Sequence, residues 1–517
     1  MKSEEVIIGM EKEYAIIGVT SEGMHVPEED LRQVAELMAT LDPRVSRDRT
    51  PQFDNPMGAR IYIDLTHDAD EAVSGACHRF EIATPECPDA RTLALYDAAT
   101  DAEALARFTA ITAHPLVFGL PEANYHLIKS STDWKGNWWG CHKNYRIPRA
   151  VDNADLFCYL APFLITKPIW AGAGGVGPRQ GAAFDDVRRE IGPIFSPRAL
   201  AIVAEMSSGT TFSRAIISIS RMNELNSLDL PDWKRLQLIE SDALMFPQTV
   251  YVEAGVTILL LRLIASGRFP SSFPRFKMEQ GGSVVHTFHE VVRDPTMRAV
   301  VEMADGRKFT ALELQRQYAA LLTDYASVVV QSDQDADVLR RFCVIVKALG
   351  ENPFALAHEC ECWFKQKLFL DILARAGTDW ERCHEVRMRL RNGGSTDVRG
   401  YLLMLHHQMC ALDAWGIFPS LWSAGTLTRF FSPTEVAGAR GSAPRSRAAY
   451  RVAVLQRARE LGLKAFVGGD NWKVLRFKGY NRTVELEKAD PTSRGNDEHL
   501  AAAMRALENC AASKAEI

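Results

Sequence analysis

The sequence shows no excess of charge of either sign and no long hydrophobic run. Sixty Lys and Arg stand against 65 Asp and Glu, a net charge of -5. That balance argues against a general nucleic-acid binder, so no nucleic-acid partner is expected. The most membrane-like stretch, Val256 to Leu261, meets Arg262 before Leu263-Ile264-Ala265, short of the roughly 20 apolar residues a spanning helix needs. No membrane partner is expected either. The opening MKSEEVIIGM carries charges where a signal peptide requires an apolar stretch, which makes a cytoplasmic location the expectation. Ten cysteines without a C-x-x-C pair are not a disulfide framework. His358, Cys360 and Cys362, with Cys383-His384 beyond, lie in a helix-like stretch that would splay metal ligands apart; reduced, packed cysteines are expected. Repeats, low-complexity tracts, a P-loop, a G-x-S-x-G elbow and H-E-x-x-H are all missing. Gly172-Ala173-Gly174-Gly175-Val176-Gly177 fits G-x-G-x-x-G, but Pro178 and RQGAA follow where a helix should begin, so the dinucleotide reading fails.

What is present is ordinary globular material. Of 517 residues, 47% are hydrophobic and 24% charged, and 24 Phe, 12 Tyr and 10 Trp exclude disorder as a description of the whole. The length exceeds one ordinary core. The expected division is a large domain over residues 1–430 and a small C-terminal one over 431–517. Alternation predicts strands over residues 5–17, 59–65 and 79–84. An Ala-rich helix is predicted from Asp89 to Thr112, and another from Val252 to Gly267 with a Gly stop. An Asp305-Gly306 hairpin precedes a further long helix. PTEVAGARGSAPR, residues 433–445, reads as a loop between domains, and the polar tail after Ala489 reads as frayed. The class is α+β with a mainly antiparallel sheet.

The first strand is the most informative. Period-2 geometry places Glu11 and Glu13 on one face and Met10, Lys12 and Tyr14 on the other. Two adjacent carboxylates repel unless a cation lies between them, and a hard divalent ion such as Mg²⁺ suits oxygen ligands. In the second strand Tyr62 and Asp64 share a face, backed by Ile61 and Ile63; the third adds Glu81, with Glu86 just after it. Acidic groups from three strands suggest a metal–nucleotide platform. The Trp- and Gly-dense segment SSTDWKGNWWGCHKNYRIPRA, residues 130–150, suggests a ligand-facing loop, with His142 as a metal ligand and Asn144 as a polar contact. Arg214 and Arg221 flank an apolar run and have the chemistry to fork onto phosphate oxygens.

These segments together resemble the Pup ligase and Pup deamidase/depupylase family, whose large domain has a glutamine-synthetase-like fold. Gly9-Met10-Glu11-Lys12-Glu13-Tyr14 is similar to G-I-E-T-E-[FY]. Gly58-Ala59-Arg60-Ile61-Tyr62-Ile63-Asp64 is similar to N-G-A-R-L-Y-[LV]-D, and Glu81 to Cys87 to E-Y-[AS]-[TA]-[AP]-E-C. Thr132-Asp133, Gly136-Asn137 and Gly140 to Tyr145 follow N-[TV]-D-x-x-G-x-S-Y-G-x-H-E-N-Y. Arg214 opens a match to R-x-I-I-N-T-R-D-E-P, and Pro444 to Arg451 resembles P-x-x-T-R-A-x-x-R.

The resemblance implies ATP and Mg²⁺ as cofactors, with metal binding by Glu11, Glu13, Tyr62, Glu81 and His142. Asp64 takes the position of the catalytic aspartate, and Arg214 that of a phosphate-contacting arginine also placed in the catalytic set. Arg221 and Asn144 complete the expected nucleotide contacts. The implied reaction joins a carboxylate donor (a small molecule, a peptide or a small Pup-like protein) to an amine acceptor through an acyl phosphate. The short span from strand one to Asp64 is that of the ligases and favours ligation. A hydrolase of the same fold and an inactive nucleotide-binding homologue are the alternatives. Three departures point to a partner other than standard Pup. Gln237 replaces the histidine of R-R-L-H-V-I, about ten extra residues (roughly His67 to Cys77) precede Glu81, and the N-T-R-D-E-P-H stretch is degraded.

Overall fold

The computed structural model describes residues 1–2, 5–40, 55–64, 79–134, 138–178, 190–209, 213–219, 222, 231–277, 283–390, 393–463, 465–467, 474–477, 483–485 and 497–512. Its centre is an eight-stranded sheet. β1 is Ile8–Val19, β2 Arg60–Asp64, β3 Arg79–Ala83, β4 Asn124–Ile128, β5 Cys141–Pro148, β6 Ala204–Ser207, β7 Ala215–Ser218 and β8 Trp233–Ser241. Their order is β2-β3-β1-β5-β8-β7-β6, with β4 pairing the second half of β1. Every pairing is antiparallel except β6 with β7.

β1 holds this sheet together because it has two different polar faces. Its odd residues Glu11 and Glu13 face one side; Met10, Lys12 and Tyr14 face the other and are buried. Lys12 has no exposed surface. Its ammonium lies 2.5 Å from Asp97 and 2.6 Å from Asp101, one turn apart on the Ala90–Thr112 helix. Lys129, just after β4, reaches the other oxygen of Asp101 at 2.7 Å, and the Tyr14 hydroxyl donates to Asp101 at 2.8 Å. Burial pushes the Lys12 ammonium down, but the two aspartates outweigh it and hold the lysine well above its usual range. The helix stands where it does because its N-cap Asp89 accepts the Thr92 backbone N–H at 2.7 Å and its alanines permit close approach to the sheet.

A second buried charge cluster follows the same design. Lys143 of β5 and Lys167 both bind Glu253 of the Pro247–Ala265 helix, and Lys167 also reaches Glu240 of β8 at 2.7 Å. Burial raises the Glu253 carboxyl, and the two lysines more than reverse this, to about 2. This helix is the only candidate membrane span among the described residues by length and hydropathy. Of its most apolar window, however, 89% is buried within the protein, where Glu253 and Arg262 are both paired. It is a core helix. It also begins five residues before the expected Val252, because Pro247 sits at its first turn, where a missing N–H costs nothing.

Three sequence expectations change. Residues Pro433–Gly441 form a helix and not a loop: Ser432 and Glu435 make a capping box and Pro433 occupies the first turn. The tail is helical over Asp497–Ala512. Ala503 and Leu507 pack there with Tyr450 and Val454 of the Arg447–Glu460 helix, and Arg457 pairs with Glu508 at 2.8 Å. The cysteine-rich stretch splits at Cys360 into a 3₁₀ segment, Pro353–His358, and a helix, Glu361–Arg375. Cys360 and Cys362 are packed as expected, both as buried free thiols.

Glu86 links the Arg447–Glu460 helix to the sheet. Arg447 and Arg451 reach it at 2.6 and 3.0 Å, and Arg451 also donates to the Gly58 carbonyl at 2.7 Å, just before β2.

The buried network sets the first prediction. Lys12→Met keeps the length of the side chain but strips Asp97 and Asp101 of their closest cation. Removing one partner of such a buried pair typically costs about 3–5 kcal/mol. Denaturant unfolding should register a loss of that order; a loss below about 1 kcal/mol would show that Lys129 alone neutralises the pair.

Candidate active site

The front face of the sheet collects the acidic residues. In register, Glu13 lies opposite Glu81, Glu11 opposite His142, and Tyr62 opposite Glu81. Directly opposed residues share a face, so β1, β2, β3 and β5 bring Glu11, Glu13, Tyr62, Glu81 and His142 together. β8 adds Arg235 and Gln237.

Each carboxylate has its own partners. Glu11 accepts from Arg235 at 2.6 Å and from Gln237 at 3.5 Å, and the His142 Nδ1 lies 3.3 Å away. Burial raises its carboxyl, but Arg235 and then His142 pull it down to about 2. Glu13 accepts the Gly140 N–H at 2.9 Å, with Arg79 at 3.5 Å. Against the upward push of burial, Arg79, His142 and Arg198 hold Glu13 below the usual carboxylate range. The Tyr62 hydroxyl donates to Glu81. Burial, then the charges of Glu81 and Glu11, push Tyr62 well above the usual phenol range, so it is a neutral donor that fixes Glu81. The Arg60 guanidinium lies over the Tyr62 ring, 4.4 Å from its centre.

Gly140 makes this proximity possible. A Cβ there would lie 2.6 Å from the His142 Nε2 and 2.9 Å from a Glu13 oxygen. Any side chain would drive the two apart. Behind it, Asp242 gathers three loops: it accepts from the Ser131 hydroxyl at 3.0 Å, the Arg198 N–H at 2.9 Å and the Ala173 N–H at 3.1 Å.

Asn144 accepts from the Arg235 Nε at 2.9 Å, so its observed role is to aim Arg235. Arg214 stands at the start of β7, where its carbonyl accepts from Val203 and Ala204. Ser218, at the far end of β7, donates to Gln237 at 3.4 Å. Arg221 and the segment His67 to Cys77 fall outside the described residues. Asp64 ends β2 opposite Arg79 in the backbone register, and its side chain also falls outside the description.

Sequence reasoning missed Arg79, Arg198, Arg235 and Asp242 as parts of this site. Arg235 has a readable signal, since it alternates with the buried Leu236 and Leu238 on β8. The glycine motif is structural. Gly174 adopts φ +65°, and a Cβ on it would lie 2.5 Å from the Cys362 Cα, so the site of a would-be pyrophosphate is occupied by protein.

The front of the sheet is thus acidic, with Glu11 and Glu13 each facing an arginine from another strand and Glu81 held by Tyr62. The chain matches the Pup-ligase protein family over residues 6–475 and belongs to it. It is 29% identical over 382 residues to the Pup–protein ligase of Brachybacterium faecium, covering 72% of this chain and 73% of that one. It is 28% identical over 462 residues to the Pup deamidase/depupylase of Mycolicibacterium smegmatis, covering 87% and 80%. It shares its fold with the ligase PafA solved in complex with the prokaryotic ubiquitin-like protein Pup. There the TM-score is 0.79 at 22% identity, over 100% of this chain and 95% of that one. A second PafA structure, in complex with ADP, gives 0.71 at 22% identity over 90% and 91%.

The lowered Glu11 carboxyl carries a pH signature. Its folded value of about 2 lies below the ordinary 4.5, so it stabilises the fold above pH 4.5, and the contribution disappears as pH falls towards 2. Glu11→Gln should flatten the acid limb of the stability profile between those values. An unchanged acid limb in calorimetric unfolding scans would remove Glu11 from the ion cluster.

Proposed function

We propose that this chain is an ATP- and Mg²⁺-dependent carboxylate–amine ligase that forms an amide or isopeptide bond through an acyl phosphate. The supporting observation is the register that sets Glu11, Glu13 and Glu81 on one face with His142 beside them. Carboxylate oxygens are the donors that Mg²⁺ prefers, and Glu11, Glu13, Glu81 and His142 would hold it, with Tyr62 steering Glu81. In the structure these carboxylates are turned to cationic or hydrogen-bonding partners and do not converge on one point. Their chemistry fits the ion. When bound, the metal would neutralise phosphate oxygens during transfer.

The chain's own residues then divide the work. Arg235, aimed by Asn144 and paired with Glu11, supplies fixed positive charge beside the carboxylates. Asp64 is the base that takes a proton from the incoming ammonium and frees its lone pair. Arg214 and Arg221 are assigned to phosphate by the family resemblance. The donor is a small Pup-like protein, since a relative of this fold is solved with Pup and the family bears its name. The insertion before Glu81 and the replacement of a family histidine by Gln237 set this chain's donor or acceptor apart from the standard pair. Ligation is favoured over amide cleavage because the span from Glu13 to Asp64 has the ligase length.

The test is to incubate the chain with ATP, Mg²⁺, a Pup-like protein ending in Glu, and a lysine-bearing acceptor. ADP and a covalent conjugate are expected; amide cleavage without ADP would establish the hydrolase instead. Glu11→Ala should weaken nucleotide binding in Mg²⁺, and unchanged affinity by calorimetry would sink the metal assignment. Asp64→Asn should bind ATP normally yet lose about 10²–10⁴-fold in turnover, the usual worth of a general base. Near-normal turnover would make Asp64 structural.

A further inference from the structure

Arg79 opens β3 immediately after the chain-specific insertion. In register it lies opposite Asp64, and on the shared face it lies diagonal to Glu13, whose direct partner is Glu81. It thus sits between the metal-binding carboxylates and the position of the base.

Its guanidinium is poorly used where it stands. The nearest anion among the described residues, a Glu13 oxygen, is 3.5 Å from Nη1, beyond the roughly 2.7–2.9 Å of a good charge-assisted hydrogen bond. The Nε is buried and has no hydrogen-bond partner among the described residues, although the side chain is only 11% exposed. Arg235 is the contrast: it meets Glu11 at 2.6 Å and its Nε is bound by Asn144. A surface salt bridge does not explain Arg79, because neither its burial nor its geometry is that of one. An anion with several oxygens in a plane does. It would take the Nε and one terminal nitrogen in the two-pronged manner that guanidinium favours.

We propose that Arg79 binds the oxygens of the phosphoryl group transferred to the donor carboxylate. This rests on the ligase reading above. In the first step a donor carboxylate oxygen bonds to the γ-phosphorus, the bond from phosphorus to the bridging oxygen breaks, and its electron pair leaves with ADP. In the second step the amine nitrogen bonds to the acyl carbon and the carbon–oxygen bond to phosphate breaks. Of the two protons the ammonium must lose, one passes to Asp64 before attack, and the second leaves with the phosphate, which departs with that electron pair as hydrogen phosphate. In both steps negative charge concentrates on the phosphoryl oxygens next to the base, which is where a pre-placed guanidinium is worth most. Arg79 is therefore a γ-phosphate residue and not a general nucleotide contact.

The test compares wild type, Arg79→Met and Arg79→Lys by calorimetric titration with ATP, with ADP and with adenosine, each in Mg²⁺. For Arg79→Met the expected result is a loss of ATP affinity of about 10- to 100-fold, the scale of a charge-assisted pair. ADP affinity should fall less than threefold and adenosine not at all. Arg79→Lys, which keeps the charge but not the fork, should lie between and serves as the readout if the Met variant does not fold. Equal losses for ATP and ADP would show that Arg79 acts only through Glu13, and unaltered ATP affinity would show that it binds no phosphoryl group; either overturns the proposal. Wild-type chain that binds no ATP overturns the ligase reading, and the proposal with it.

Discussion

Lys12 bears the constraint on which the arrangement depends. A lysine with no exposed surface, in the middle of the central strand, is tolerable only because Asp97 and Asp101 meet it from the helix behind. Its neighbours Glu11 and Glu13 point the opposite way. A one-residue slip of β1 would bury two glutamates against two aspartates and expose the lysine, so the register that builds the front face is enforced from the back. Lys143 repeats the device on β5, where it lies between His142 and Asn144 and binds Glu253.

With the strands fixed from behind, the front can hold charges that repel one another. Arg235 lies 224 residues from Glu11 in sequence, and the Gly140 N–H lies 127 from Glu13, yet both meet their partners at hydrogen-bond distance. Asp242 does the same for the loops, since one carboxylate closes three of them. The site is thus assembled from strand positions, which are rigid. Gly140, the loop residue that lies against both Glu13 and His142, does so without a side chain.

Much of this was legible in the sequence. Two-residue alternation in β1, β2 and β3 gives Glu11, Glu13, Tyr62 and Glu81 a common polar side, because a strand's period is a local property. The helix behind them was legible too, from Asp89 through its run of alanines. Partners set by register between distant strands were not: nothing local to Arg79 or Arg235 says which carboxylate it will face. The Pro433–Gly441 helix was misread for the opposite reason. Its Ser432–Glu435 cap is a local signal, but the Gly, Pro and Ser around it carry the composition of a loop. Gly174 and its neighbours show a motif whose spacing is right and whose meaning differs, since the glycines admit Cys362 and other protein atoms where a phosphate would sit.

The double hold on Glu86 has a consequence for how the protein comes into being. Arg451 lies 365 residues downstream of Glu86. At the usual pace of translation, about 5–20 residues per second, some 20 to 70 s separate the appearance of the carboxylate from that of its arginine. Throughout that interval Glu86 lacks the arginine that in the finished protein also binds the Gly58 carbonyl just before β2. The finished protein therefore depends on its Arg447–Glu460 helix as a late-arriving part, and the β2 edge of the sheet gains this brace only after most of the chain has been made.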